Sequence, residues 1–250
     1  MSAPRQRRVT PVAGQAGVTL VELMVALTIG LFIALALGAI FVNAKSAFQA
    51  QDKLASLHDS ERLGISVLTA GVQLAGYFPD PEVRLVADAL PVQGTPQSTV
   101  QFAAGQGVAG ISGSGGASDT LAVRFVSASG DGLLNCQGSV NTSGSNQLVT
   151  NVFSISAANE LQCAVNDNAP VPLVTNVSAM TVLYGTDSAA SGNIDKYLSA
   201  SAVSAASLWG RVRSVQVRLT FASQFDASRV GPGASTAVTW VQNIGVMGAL

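Results

Sequence analysis

The sequence predicts an α+β protein, with a long N-terminal helix, transmembrane in its first half and amphipathic in its second, packed on an antiparallel β-sheet head. Three observations predict it. Residues 17–42 read GVTLVELMVALTIGLFIALALGAIFV, an apolar run of membrane length whose one charge is Glu22. Polar, proline-free sequence then carries the helical pattern on to about residue 77. Beyond Pro81 the pattern changes to short alternating segments parted by Gly- and Ser-rich stretches, with no regular exchange of strand and helix.

The first element is a short leader. Residues 1–17 contain Arg5, Arg7 and Arg8 and no acid, a bias that keeps an N-terminus cytoplasmic. A secretory signal would be cut after its apolar core at a small-residue site, yet the chain continues as NAKSAFQAQDKL, polar and helix-forming. A lipoprotein needs a cysteine at the cut, and the first cysteine is Cys136. Cleavage before the core, between Gly17 and Val18, accounts for the acid. A carboxylate inside an apolar run is costly unless something pairs with it, and the new amine at Val18 would lie one helical turn from Glu22. The competing reading, an uncleaved signal anchor in which Glu22 is incidental, leaves the acid without a partner.

Gly17 followed by a hydrophobic residue and then TLVEL (residues 19–23) resembles the N-terminal signature of type IV pilins and pseudopilins; Val18 stands where that family most often has phenylalanine. The resemblance implies a pilin-like fold, cleavage by a prepilin peptidase, N-methylation of Val18, and pairing of Glu22 with the N-terminus of a neighbouring subunit during assembly.

The helix comes next, expected over residues 18–77: transmembrane over 18–42 and amphipathic over 43–77. Leu54, Leu57, Ile65, Leu68 and Val72 follow helical steps, interrupted by Glu61. Gly64, Gly71 and Gly76 are its possible breakers, and Pro79 and Pro81 are expected to end it. Gly30 and Gly38 leave three readings open: close helix approach, a place where the helix loosens, or simple tolerance of glycine in a membrane helix.

The head, residues 78–250, should be β-rich. Strands are expected at 121–126 and 214–221, where apolar and polar residues alternate, and at 147–154, 180–184 and 237–241. Residues 103–119, AAGQGVAGISGSGGASD, read as a flexible surface loop and hold no lysine of a phosphate-binding loop. Cys136 and Cys163 both follow the anchor, on the periplasmic side. They are the only cysteines, so a structural disulfide is expected between them, worth roughly 3–4 kcal/mol by loop-closure entropy.

Composition narrows the function. A chain of 250 residues holds one sizeable domain plus the anchor. Of 13 Lys and Arg, three lie in residues 1–17, and losing them leaves ten against 14 acids, a formal charge of −4. No nucleic-acid surface is indicated. His58 is the only histidine and falls on the helix, and no GxSxG turn surrounds a serine, so no enzyme is expected. No cofactor or metal is expected either. Asp187, Ser188, Asn193 and Asp195 gather oxygens in one loop, with Asp131 in a separate turn, but neither has EF-hand spacing, and turn chemistry explains both.

Several head segments, in order, resemble the PilW-like minor pilin family: DTLAVRF (119–125), GDGLLNCQG (130–138), LQCAVN (161–166), PLVTNVSAMTVLYGTD (172–187) and RVRSVQVRLTF (211–221). The resemblance implies a minor pilin that helps initiate or prime type IV pilus assembly and enters the fibre or its tip. Expected partners are other minor pilins, the major pilin, the prepilin peptidase, the inner-membrane assembly platform and inner-membrane lipid. The chain would pass from the inner membrane, head in the periplasm, to the pilus. A J-type pseudopilin of type II secretion, and a tip adhesin or DNA-binding head, are the alternatives.

Overall fold

The computed structural model describes residues 17, 19–95, 98–166, 168–222 and 237–248. Val18 and the expected leader ahead of Gly17 lie outside them. The chain divides into two units, Met1–Asp52 and Lys53–Leu250, and helix α1 (Leu20–Gln73) contributes to both.

In the first unit every large hydrophobic residue from Leu20 to Val42 is exposed, from 50% at Val25 to 77% at Phe32. The helix is long and apolar enough to cross a membrane. Nothing in its own unit buries that surface, so lipid or neighbouring helices must supply the apolar surroundings.

In the second unit α1 buries Leu57, Gly64, Leu68, Gly71 and Val72. The expected stripe is therefore corrected at two places, since Leu54 is exposed and Ile65 only half-buried. Two residues read as breakers complete the face instead. A methyl group on Gly71 would lie 3.2 Å from the ring of Phe153, and one on Gly64 would lie 3.6 Å from Leu161, Val174 and Leu219. Glycine here lets the helix approach the sheets closely. The end of the helix is corrected as well. α1 stops at Gln73, and Gly76 turns the chain with φ +83°, donating its N–H to the Arg124 carbonyl at 2.9 Å. A left-handed glycine ends the helix before either proline is reached.

After the short helix α2 (Val86–Ala89), strands β1 (Gln93–Thr95) and β2 (Ser98–Phe102) form an antiparallel pair. β3 (Val108–Ile111), β4 (Thr120–Ser127), β5 (Gln147–Ile155), β6 (Glu160–Val165) and β7 (Val171–Thr175) form a five-stranded antiparallel sheet in sequence order. β8 (Val177–Thr186), β9 (Lys196–Leu198), β10 (Val212–Phe221) and β11 (Val238–Gly245) form a four-stranded sheet in the order β11-β10-β8-β9. Helix α3 (Ala200–Ala205) and a 3₁₀ turn (Trp209–Arg211) lie between β9 and β10. The strands expected around 121–126, 147–154, 180–184, 214–221 and 237–241 fall on β4, β5, β8, β10 and β11.

The main core joins both sheets to the helix: Leu57, Leu68 and Val72 meet Phe125, Phe153, Leu161, Val217 and Leu219 in one buried cluster. Asp119 ties the sheets together, its carboxylate accepting from the N–H groups of Gly113 and Val182, both at 2.7 Å. Two further expectations are corrected on the opposite face. β4 is buried on both faces rather than one, because Val100 and Phe102 of β2 cover Ala122 and Ala109 in a second apolar cluster. Residues 103–119 are not loop throughout, since β3 lies within them with Val108 and Ala109 buried. Pairing with β4 and cover from β2 supply the order that its small residues do not advertise.

Candidate assembly site at the helix N-terminus

Thr19, outside the helix, is its N-cap. Its carbonyl accepts from Leu23 N–H at 3.1 Å, and its Oγ1 accepts from Glu22 N–H at 3.3 Å. Glu22 is thus the third helical residue after a threonine cap, the T-x-x-E spacing of a capping box. Its carboxylate stands in the first turn, where the positive end of the helix dipole stabilises an anion. The hydroxyl relieves one of the four unpaired amides at the helix start. Cap and dipole together place a carboxylate at the mouth of an exposed apolar helix, five residues after Gly17 in sequence. Gly17 is exposed, with nothing within 4 Å of the methyl position on its Cα. Gly30 and Gly38 are likewise open, helical and free of contact within 4 Å in their own unit. Val18, whose amine the expected cleavage would free, lies outside the described residues.

The two cysteines are brought together. Cys136, in the loop after β4, is bonded to Cys163 on β6 across a sequence separation of 27. Both are buried. Cys136 N–H donates to Asn151 Oδ1 at 3.2 Å, and Gln137 Nε2 donates to the Cys163 carbonyl at 3.0 Å. The bridge therefore fastens the loop around residues 130–141 to the sheet.

His58 is exposed on α1, its Nδ1 3.2 Å from Glu61 Oε2. The carboxylates weighed for calcium are occupied by backbone amides. Asp187 accepts from Ser191 and Gly192 N–H, and Asp195 from Ser188 and Ala189 N–H. The Ser188 hydroxyl also donates to Asp195; that hydroxyl, then the Ser188 amide, holds the exposed Asp195 carboxyl below the usual range. Asp131 accepts from Ala128 and Leu133 N–H. Among the described residues, no three His, Cys, Asp or Glu side chains converge on one point that would hold a metal.

Sequence comparison bears directly on this site. Residues 13–41 match the family model described as the prokaryotic N-terminal methylation motif, and residues 139–239 match the one described as type IV pilus-assembly protein W. The chain is a type IV pilin-like protein with a prepilin-type N-terminus. A solved type IV-like pilin from Thermus thermophilus is similar at 12% identity and a TM-score of 0.42, over 77% of this chain and 96% of that one. No curated protein matches the chain. The pilin-like family is structural rather than catalytic. The apolar helix and the methylation motif fit anchoring in the inner membrane and a place in pilus assembly, which implies pilin and assembly partners.

Two features of this pilin-like protein were missed in the sequence reading. The capping role of Thr19 was readable from its T-x-x-E spacing, because Thr and Glu three residues apart before an apolar run is a helix-start signal. Arg124 falls among the polar positions of the alternating strand expected at 121–126. It is instead fully buried, and its guanidinium donates to the carbonyls of Gln106, Pro91, Leu90 and Ala103 at 2.5–3.2 Å, stacked 4.6 Å from the centre of Phe102. Its carbonyl partners lie far off in sequence, so no local signal could have found it.

Proposed function

We propose that the protein is a minor pilin that helps initiate or prime type IV pilus assembly and is carried into the fibre or its tip. Processing cuts between Gly17 and Val18, and the new Val18 amine is methylated. Glu22 is the assembly residue: in the membrane its carboxylate pairs with the N-terminal amine of a neighbouring subunit, while the exposed apolar faces of residues 20–42 pack against neighbouring helices. In low dielectric the two opposite charges attract strongly, and an unpaired carboxylate there is costly, so the pairing also selects register. The head lies in the periplasm before assembly. Its partners are other minor pilins, the major pilin, the prepilin peptidase and the inner-membrane platform.

The observation that carries this reading is the placement of Glu22: its N–H capped by Thr19, in the first turn, at the head of a helix whose large apolar side chains from Leu20 to Val42 are all exposed. The test is Glu22→Ala in a strain lacking the natural copy. N-terminal sequence and mass should show loss of the leader and gain of one methyl group, while surface pili fall to the level of the deletion. Normal piliation by the variant would exclude the pairing role, and an unprocessed N-terminus in the natural chain would exclude cleavage after Gly17. Secretion of a reporter exoprotein, measured alongside, separates the pilus from the secretion machine.

A further inference from the structure

A cleft of about 920 Å³ opens in the head between β3 and the stretch from α3 to Trp209, a volume typical of small-molecule sites. None of its lining residues belongs to α1, and every one is uncharged. A phosphate, carboxylate or amine entering it would lose hydration without gaining a counter-charge.

The polar groups it offers are hydroxyls, an amide and open backbone. Ser204, Ser207 and Gln101 are exposed on its walls. Ser204 Oγ accepts from Trp209 Nε1 at 2.9 Å. An indole N–H only donates, so the serine keeps its own proton for a ligand. The same bond fixes the half-buried Trp209 in the wall, braced by an edge contact with Tyr184 at 4.8 Å between ring centres. On the other side β3 pairs only with β4. Arg124 N–H donates to the Gly107 carbonyl at 2.9 Å. Alternate residues of an antiparallel ladder face the partner strand, so Gly110 turns its N–H and carbonyl to the free edge that lines the cleft.

These features select among uncharged ligands. An added peptide strand finds the edge open only at Gly110, because Gln106 Nε2 takes the Val108 carbonyl at 2.7 Å and Ser201 N–H holds Ser112 Oγ at 3.1 Å. An acyl chain would bury the hydroxyls and the Gly110 groups without partners, at a cost. A neutral sugar suits all of them. Its hydroxyls both donate and accept, and its weakly positive C–H face is attracted to the negative face of an indole ring. We propose that the cleft binds a short neutral oligosaccharide, with one sugar ring against Trp209 and hydroxyls bonded to Ser204 and to the backbone of Gly110. This binding is a second function, separate from assembly through Glu22.

The experiment uses the full-length chain in phosphatidylcholine nanodiscs, which carry no sugar headgroups. Trp240→Phe leaves Trp209 as its only tryptophan. Maltose, cellobiose and N,N′-diacetylchitobiose are each titrated to about 10 mM, enough to reveal a millimolar Kd. Sialyllactose and an acetylated, amidated alanine tripeptide serve as the charged and peptide comparators. At least one neutral disaccharide should shift Trp209 emission saturably and show saturation-transfer NMR signals from its ring protons, with neither comparator doing so. Which disaccharide binds tells an N-acetylated amino-sugar chain from a plain glucan. Trp209→Ala, followed by NMR, should weaken binding at least about tenfold, as loss of a tryptophan anchor does. Ala104→Arg, at the exposed rim, should do the same by obstruction and leaves the core intact. No saturable response to any of the three sugars, an equal response to either comparator, or binding that survives Ala104→Arg would overturn the proposal.

Discussion

Thr19, Glu22, Arg124 and Tyr184 show how much one side chain decides. The Thr19 hydroxyl satisfies an amide at the start of the helix. Thr19→Ala removes that bond and should cost about 1 kcal/mol of local helix stability, read as faster hydrogen exchange over the first turn of the protein in detergent, with the rest of the helix unchanged. Arg124 holds four carbonyls of residues 90–106 against β4. Burial pushes its pKa down to about 10, still far above neutrality, so it carries its charge at physiological pH. Arg124→Met would strand those carbonyls, and a loss of roughly 3 kcal/mol is expected from the cost of unpaired buried groups, measured as a lower denaturant midpoint; Arg124→Lys, lacking the fork, should recover only part of it.

Tyr184 is the opposite case, a fully buried side chain whose hydroxyl, among the described residues, has no hydrogen-bond partner and fills the space a side chain at Gly110 would need. Burial first, and the charge of Asp119 second, push its pKa above the usual phenol range. The native state then keeps this proton where the unfolded chain releases it, so Tyr184 contributes no pH dependence below about pH 10 and lowers stability as pH rises above it. Tyr184→Phe should be neutral to stabilising by up to ~1 kcal/mol at pH 7. It should also flatten the alkaline fall in stability relative to the natural protein, as read by thermal unfolding from pH 8 to 11. A marked loss of stability at pH 7 would mean the hydroxyl is bonded.

At the scale of the element, α1 in the head unit packs through glycine. Gly64 and Gly71 lie two turns apart on the buried face and differ in the space around them. At Gly64 an added methyl meets ordinary contacts at 3.6 Å, so Gly64→Ala should stabilise the head by about 0.5–1 kcal/mol, the helix propensity gained without a clash. At Gly71 the ring of Phe153 stands at 3.2 Å. Gly71→Val should overpack it and destabilise by about 1–3 kcal/mol. Thermal midpoints of the two variants should move in opposite directions, and a common direction would mean the helix does not seat on β5 as described.

For the whole molecule, the Cys136–Cys163 bridge joins a long loop to the five-stranded sheet. Its loss in a Cys136→Ser/Cys163→Ser double variant should cost roughly 3–4 kcal/mol, seen as a lower unfolding midpoint and faster proteolysis between residues 130 and 141. The apolar half of α1 answers to a different environment. Its exposed side chains give the isolated chain no reason to be soluble, so extraction should require detergent until the helix is cut away.

Much of this was legible in residue order alone. Residues 17–42 establish an apolar helix of membrane length with one acid near its start, because hydropathy and length act locally and need no partner. Alternation marked β4, β5, β8, β10 and β11, and two cysteines with no alternative mates marked the bridge. Tertiary contact decided the rest. Gly64 and Gly71 are weak helix formers by propensity and become the buried seam only because Phe153, Leu161 and Leu219 arrive from distant strands. β3, made of small residues, is a strand because β4 pairs with it, and Arg124 is an interior residue because carbonyls from residues 90–106 close over it. Propensity and periodicity are properties of neighbours along the chain, whereas burial and backbone pairing are set by whichever segments the fold brings alongside.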